Sequence, residues 1–222
     1  MARIVAFIPD AVGQDDAQHT NAWVGGLACE TLRELGHVPE RLTGPLARRA
    51  TLEAALHEGP DGLAAWCHGA DERGQATSRA ALLDQDGGRV LDTDNLSLLA
   101  GRWVYAQACE SANHLAGEAI WRGATAFAGY TPRIKMAWTP DDILTSDDAS
   151  SSILPALAAF FATVPQLLAE GRRSEEEIRR EVSRMAEPLW EWCDAHDGGS
   201  GLEITLQLMT GAYLVVRTPD PA

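Results

Sequence analysis

Cys109 stands in the pentapeptide Gln107-Ala108-Cys109-Glu110-Ser111, with the pair His68-Gly69 forty-one positions upstream. A thiol and an imidazole brought together make a nucleophile and its base. The thiolate is the attacking species, so an efficient site lowers the cysteine's proton affinity and keeps a proton acceptor at hand. His68 can take that proton and later return it to the leaving group. Gly69 has no side chain to obstruct a substrate carbonyl, which makes its backbone N–H a candidate oxyanion donor. This is the chemistry of acyl transfer from a peptide bond.

Such a pair needs a scaffold that delivers both groups to one place. Each cluster closes a short apolar run of strand length, residues 62–67 before His68 and 102–106 before Gln107. A parallel α/β sheet presents its reactive groups at the carboxyl ends of its strands, so neighbouring strands would bring His68 and Cys109 to one edge. Ser111 can cap a helix reaching Trp121, and the N-terminus of that helix would favour a negative sulfur on Cys109.

Further strands are expected over 3–8, over 37–42 as an edge because of Pro39, over 124–128 and over 212–216. Helical spacing covers about 20–35, 46–57, 151–169 and 174–195, the last expected to kink or split at Pro188. Asp86-Gly87-Gly88 marks a hairpin between 80–84 and 89–91, and a short helix capped by Thr93 or Asp94 follows over 95–100. Residues 70–79 and 130–150 read as loops, the second long enough to be functional; residues 202–209 fit neither period cleanly. Strands alternating with helices give the α/β class, a mostly parallel sheet with helices on both faces. One domain over residues 1–222 suffices for this length.

Composition narrows the partners. The net charge is −14 with only 18 Lys and Arg, so a phosphate-binding surface is not expected, and nucleic acid is excluded as a partner. The longest apolar stretch, 153–169, is interrupted by Pro155, Pro165 and Gln166, so no membrane span is expected. No secretory signal is visible, and Cys29, Cys67, Cys109 and Cys193 are widely spaced without paired motifs. A reduced, cytoplasmic protein follows. Cys193 and His196 supply two ligands where a metal site needs more, so neither metal nor cofactor is expected.

The order of these features resembles a known group. Strand, His68-Gly69, polar loop, hairpin, short helix, strand and Ala108-Cys109-Glu110-Ser111 is similar to the caspase-like (clan CD) cysteine peptidases. Their signature is Gln-Ala-Cys followed by Arg, Gln or Gly and then Gly, with a histidine about 50 residues upstream. Gln107, Ala108 and Cys109 match; Glu110 and Ser111 do not, and they bring the chain closer to the CHAT branch of bacterial conflict systems, related to separases. Gly123-Ala124, Trp138, Asp141-Asp142, Phe160-Phe161 and Gly171 continue the resemblance, which covers about residues 62–185.

The resemblance implies a caspase-like three-layer sandwich with about six strands. It implies Cys109 as nucleophile, His68 as base, Gly69 in the oxyanion hole, and Gln107 bordering the pocket for the residue before the cut. Arginine-directed relatives carry an aspartate at the place of Gln107, so basic specificity is not implied here. Trp138 is either a wall of the substrate cleft or an anchor for its loop, and we take it with Gln107 as a candidate substrate contact. The implied activity is cleavage of a protein substrate in a bacterial defence or cell-death pathway.

Blander readings stand beside these. Cys67 should alternate to the other face of its strand and be a core thiol. His114, a helical turn past Cys109, is a surface residue or a second polar group of the site. Asp141, Asp142, Asp147 and Asp148 read as a solvated loop. The chain as a whole could be an inactive caspase-like module kept for protein binding. A glutamine amidotransferase is disfavoured because no glycine flanks Cys109 and the histidine precedes it.

Overall fold

The computed structural model describes residues 1–11, 15–70, 81–131, 133–134, 136, 138–144, 150–196 and 200–219, with the side chains of 70, 114, 150–152 and 200 excepted. Six strands form the central sheet: β1 (Arg3–Ile8), β2 (Val38–Thr43), β3 (Gly62–Trp66), β7 (Trp103–Gln107), β8 (Ala126–Tyr130) and β9 (Leu214–Arg217), in spatial order β2-β1-β3-β7-β8-β9. All neighbours run parallel except β9, which closes the sheet antiparallel to β8. A small antiparallel sheet of β4 (Gly69–Ala70), β5 (Ala81–Leu83) and β6 (Arg89–Leu91) follows directly on His68.

The strands are apolar on both faces because both faces are covered. From β1, Ile4, Ala6 and Ile8 point into one core and Val5 and Phe7 into the other. The first core is roofed by α1 (Asp16–Glu34), α5 (Ser150–Ala169), α6 (Glu175–Ala195) and α7 (Ser200–Thr210). The second lies under α2 (Arg49–His57), α3 (Ser111–Trp121) and a 3-10 turn at Leu96–Leu99. The result is a three-layer α/β sandwich. Among the described residues no helix is long and apolar enough to cross a membrane.

The elements expected from sequence are present with shifted bounds, β8 and β9 each starting two residues later and β4 added, and the larger differences have local causes. Helix α1 begins at Asp16 because Asp15 caps it, its carboxylate accepting from the Gln18 amide at 3.0 Å. Helix α2 begins at Arg49, since 44–46 forms a separate 3-10 turn around Pro45. Helix α6 runs through Pro188 without splitting; this proline lies on the solvent side, where water can serve the carbonyl that loses its amide partner. Residues 202–209 belong to the helix α7, and α4 (Pro140–Leu144) interrupts the segment between β8 and α5. Most of the polar stretch 70–79, together with Asp147 and Asp148, lies outside the described residues.

The sheet switches direction between β1 and β3, the place where α/β folds form crevices at their strand ends. On the other side of β3, its pairing with β7 includes a close approach. Gly62 faces Trp103, and a Cβ on Gly62 would come within 2.1 Å of the indole ring. Gly62→Ala should therefore destabilise the protein by about 1–3 kcal/mol, read as a lower urea midpoint; an unchanged midpoint would show that the indole yields freely.

Candidate active site

The β3–β7 register sets the site. Trp66 lies opposite Gln107, and the Cys67 amide donates to the Gln107 carbonyl at 3.3 Å. Following both chains two residues beyond Trp66 and Gln107 brings His68 and Cys109 level, at the carboxyl edge of adjacent strands. Both line a cavity of about 90 Å³ shared with Ala17, Asn21, Cys67, Gln107, Ala108, Ile134 and Met136.

Local backbone geometry holds Cys109 in place. Glu110 adopts a left-handed conformation (φ 55°, ψ 14°), and among the described residues it is the one non-glycine residue with positive φ. The turn from strand to α3 is thus made in a single strained residue just after the cysteine. Ser111 stitches it down: its Oγ donates to the Ala106 carbonyl at 3.0 Å and accepts from the Tyr130 amide at 3.2 Å. Gly69 must be glycine for steric reasons, because an added Cβ would sit 2.1 Å from the Cys109 carbonyl oxygen. The segment carrying His68 and Gly69 is thereby pressed against the turn carrying Cys109.

On the far side of His68 lies a carboxylate that sequence reasoning did not single out. His68 Nε2 is 2.7 Å from Asp15 Oδ2, while Oδ1 of the same carboxylate caps α1. Strand order explains the arrangement: β1, β3 and β7 are neighbours, and Asp15, His68 and Cys109 follow their three ends in that order. A carboxylate on Nε2 keeps the proton there and leaves the Nδ1 lone pair as acceptor. Asp15 followed three positions later by Gln18 is a helix-start signature legible in sequence; its contact with a histidine on another strand is not.

Burial pushes the Cys109 thiol above its ordinary value, and the Glu110 carboxylate adds to this; the backbone at Ile134 and the Arg133 guanidinium pull the other way by less. The lowering expected from the start of α3 does not prevail, because the sulfur is covered. Its Sγ donates to the Ile134 carbonyl at 3.5 Å. The sulfur is partly covered, and its thiol holds its proton more tightly than a free cysteine does. Arg133, on the covering segment, lies 3.9 Å from Glu110. Cys67 is buried, and burial pushes its thiol up to about 12, so it is inert.

The two expected substrate contacts sit differently. Gln107 borders the cavity but is buried, accepting from the Tyr105 hydroxyl and donating to Asn21 Oδ1, both at 3.1 Å. Trp138 corrects the cleft-wall expectation. It is buried away from the cavity, packs edge-on against Trp23 at 5.9 Å, and its carbonyl accepts from Thr20 Oγ1 at 2.8 Å. It anchors its segment to α1. Ile134 and Met136, which do wall the cavity, come from an irregular stretch without periodicity to announce them.

The side chain of His114 lies outside the described residues. His196 is stacked on Trp192 with its Nδ1 at the Trp192 carbonyl, turned to its own helix end. Among the described residues no group of three His, Cys, Asp or Glu side chains is placed to hold a metal ion.

No family profile matches the chain, and no curated protein does. Among solved structures it is similar to the Arg-specific cysteine proteinase gingipain R, with a TM-score of 0.53 and 15% sequence identity over 99% of this chain and 48% of that one. The chain thus spans about half the length of that proteinase. At this identity the likeness establishes the fold, a mostly parallel six-stranded sheet between helical layers of the caspase-like kind.

The Asp15–His68 pair makes a prediction about pH. Burial works against the Asp15 charge, but the Gln18 amide and the His68 ring outweigh it and hold the carboxyl below its ordinary 3.8. A depressed carboxylate contributes stability above its unfolded pKa and loses it as pH falls through the folded value. Asp15→Ala should cost about 1 kcal/mol at neutral pH, mostly the lost cap, since more than a third of each partner is exposed. The gap between wild type and variant should narrow as pH falls below about 4 in urea melts, because protonation removes the charge-dependent part of the pairing; a constant gap across pH would contradict the pairing.

Proposed function

We propose that the chain is a cysteine endopeptidase that cleaves a protein or peptide through Cys109 and His68. One observation carries the reading: His68 and Cys109 share a cavity at the ends of adjacent parallel strands, with Asp15 holding the other side of the imidazole. Substrate displaces the Ile134 carbonyl from the sulfur, and the Cys109 proton passes to Nδ1 of His68. The Asp15 carboxylate stabilises the imidazolium so formed. The thiolate attacks the scissile carbonyl, whose oxygen takes the Gly69 N–H; one such donor supplies about 3 kcal/mol in the transition state. His68 returns its proton to the departing amine, leaving a thioester. Water, with its proton taken by His68, then releases the acid and regenerates the thiol.

No cofactor or metal enters these steps. Likeness of fold to a cysteine proteinase supports the assignment at the level of architecture. The CHAT type, a bacterial defence or cell-death setting and a cytoplasmic location rest on the sequence motifs around His68 and Cys109 and on composition. The shielded thiol is the one feature that favours the alternative, a catalytically inactive protein-binding module.

Cleavage of a degenerate peptide library separates the two. Wild type should cut, Cys109→Ala should be silent, and His68→Ala should lose about 100-fold or more in kcat. A wild type that leaves every peptide intact, or a Cys109→Ala that cuts equally well, would remove the peptidase reading.

A further inference from the structure

The cavity beside the sulfur has its own selectivity, which names the substrate class if the peptidase reading holds. Tyr105, on β7, donates to Gln107 Oε1, and Gln107 Nε2 donates to Asn21 Oδ1 on α1, each at 3.1 Å. This relay runs in one sense from a hydroxyl through two amides. It engages Asn21 Oδ1 as acceptor, which makes Nδ2 the donor end of that side chain. Asn21 lines the cavity, and its Nδ2 has no hydrogen-bond partner among the described residues. The wall therefore offers one fixed donor for a ligand.

The remaining walls limit what can use it. At about 90 Å³ the cavity is smaller than the roughly 150 Å³ that accommodates a benzene ring, which leaves out aromatic side chains and long basic ones. Among the described residues that line it there is no Asp, Glu, Lys or Arg. A charged side chain entering it would lose water and meet, among these residues, only the His68 ring, which Asp15 already holds, so its burial is poorly repaid. Ala17, Ala108, Ile134 and Met136 add apolar contact but no polarity.

We propose that Asn21 is a specificity-determining residue, and that the cavity accepts a short uncharged side chain able to take a hydrogen bond, such as Ser, Thr or Asn, in the substrate residue next to the cut. The Asn21 amide donates to that residue's oxygen, and its preset orientation makes the donor selective.

The test uses binding as well as cleavage, so that the two readings fail separately. Labelled peptides differing only at the residue before the scissile bond are titrated into Cys109→Ala by fluorescence anisotropy. Peptides with Ser, Thr or Asn should bind about tenfold tighter than those with Arg, Asp or Phe. Asn21→Asp, which keeps the shape and the Gln107 bond but replaces the donor with a charged acceptor, should erase that margin. Wild-type cleavage should follow the same order. Retained binding order without any cleavage would sink the peptidase reading and leave the cavity's preference standing. Tightest binding by Arg or Asp peptides, no binding by any, or an order unchanged in Asn21→Asp would overturn the role of Asn21.

Discussion

The pairing of β3 with β7 is the constraint on which the rest depends. Parallel strands in register end together, so whatever follows Trp66 and Gln107 is delivered to one edge at one level. Two residues on, those positions hold His68 and Cys109. The register is guarded at its start by Gly62 against the Trp103 ring and at its end by Gly69 against the Cys109 carbonyl. Two glycines thus clamp the two strands at either end, and neither tolerates a Cβ. β1, on the other side of β3, contributes Asp15 by the same logic of neighbouring strand ends.

A nucleophile needs access, and burial opposes it. Burial raises the proton affinity of the Cys109 thiol, while His68 is half-buried and already oriented by a carboxylate. The Ile134 carbonyl covers the sulfur in this arrangement. The segment that makes this contact is tied down at two points, by Arg133 near Glu110 and by Trp138 packed on Trp23. The strained turn at Glu110 keeps the sulfur facing the cavity rather than the core.

How much of this was legible in the sequence follows from how local each feature is. The strands, most helices and the placing of His68 and Cys109 at one cavity could be read, because apolar runs of strand length end at both and strand ends converge in a parallel sheet. Asp15 could be recognised as a helix cap but not as the partner of His68, since that contact exists only once β1 lies beside β3. Asn21 looks like any polar residue on a helix until Gln107 is seen to reach it. Trp138 was ambiguous for the same reason: a large aromatic in an irregular segment fits wall and anchor alike, and only Trp23 on α1 decides. The thiol's proton affinity went against the sequence expectation because a helix start is visible in sequence and burial is not.

The central claim is that Cys109 gives its proton to His68. Alkylation of Cys109 by iodoacetamide, followed by peptide mass mapping from about pH 5 to pH 9, measures this with no substrate needed. If the two groups share the proton, His68→Ala should slow alkylation of Cys109 severalfold near neutrality and leave a single rise at alkaline pH, as for an unaided buried thiol. Identical rates and pH profiles in wild type and His68→Ala would mean that the imidazole does not serve the sulfur, and the account would fall.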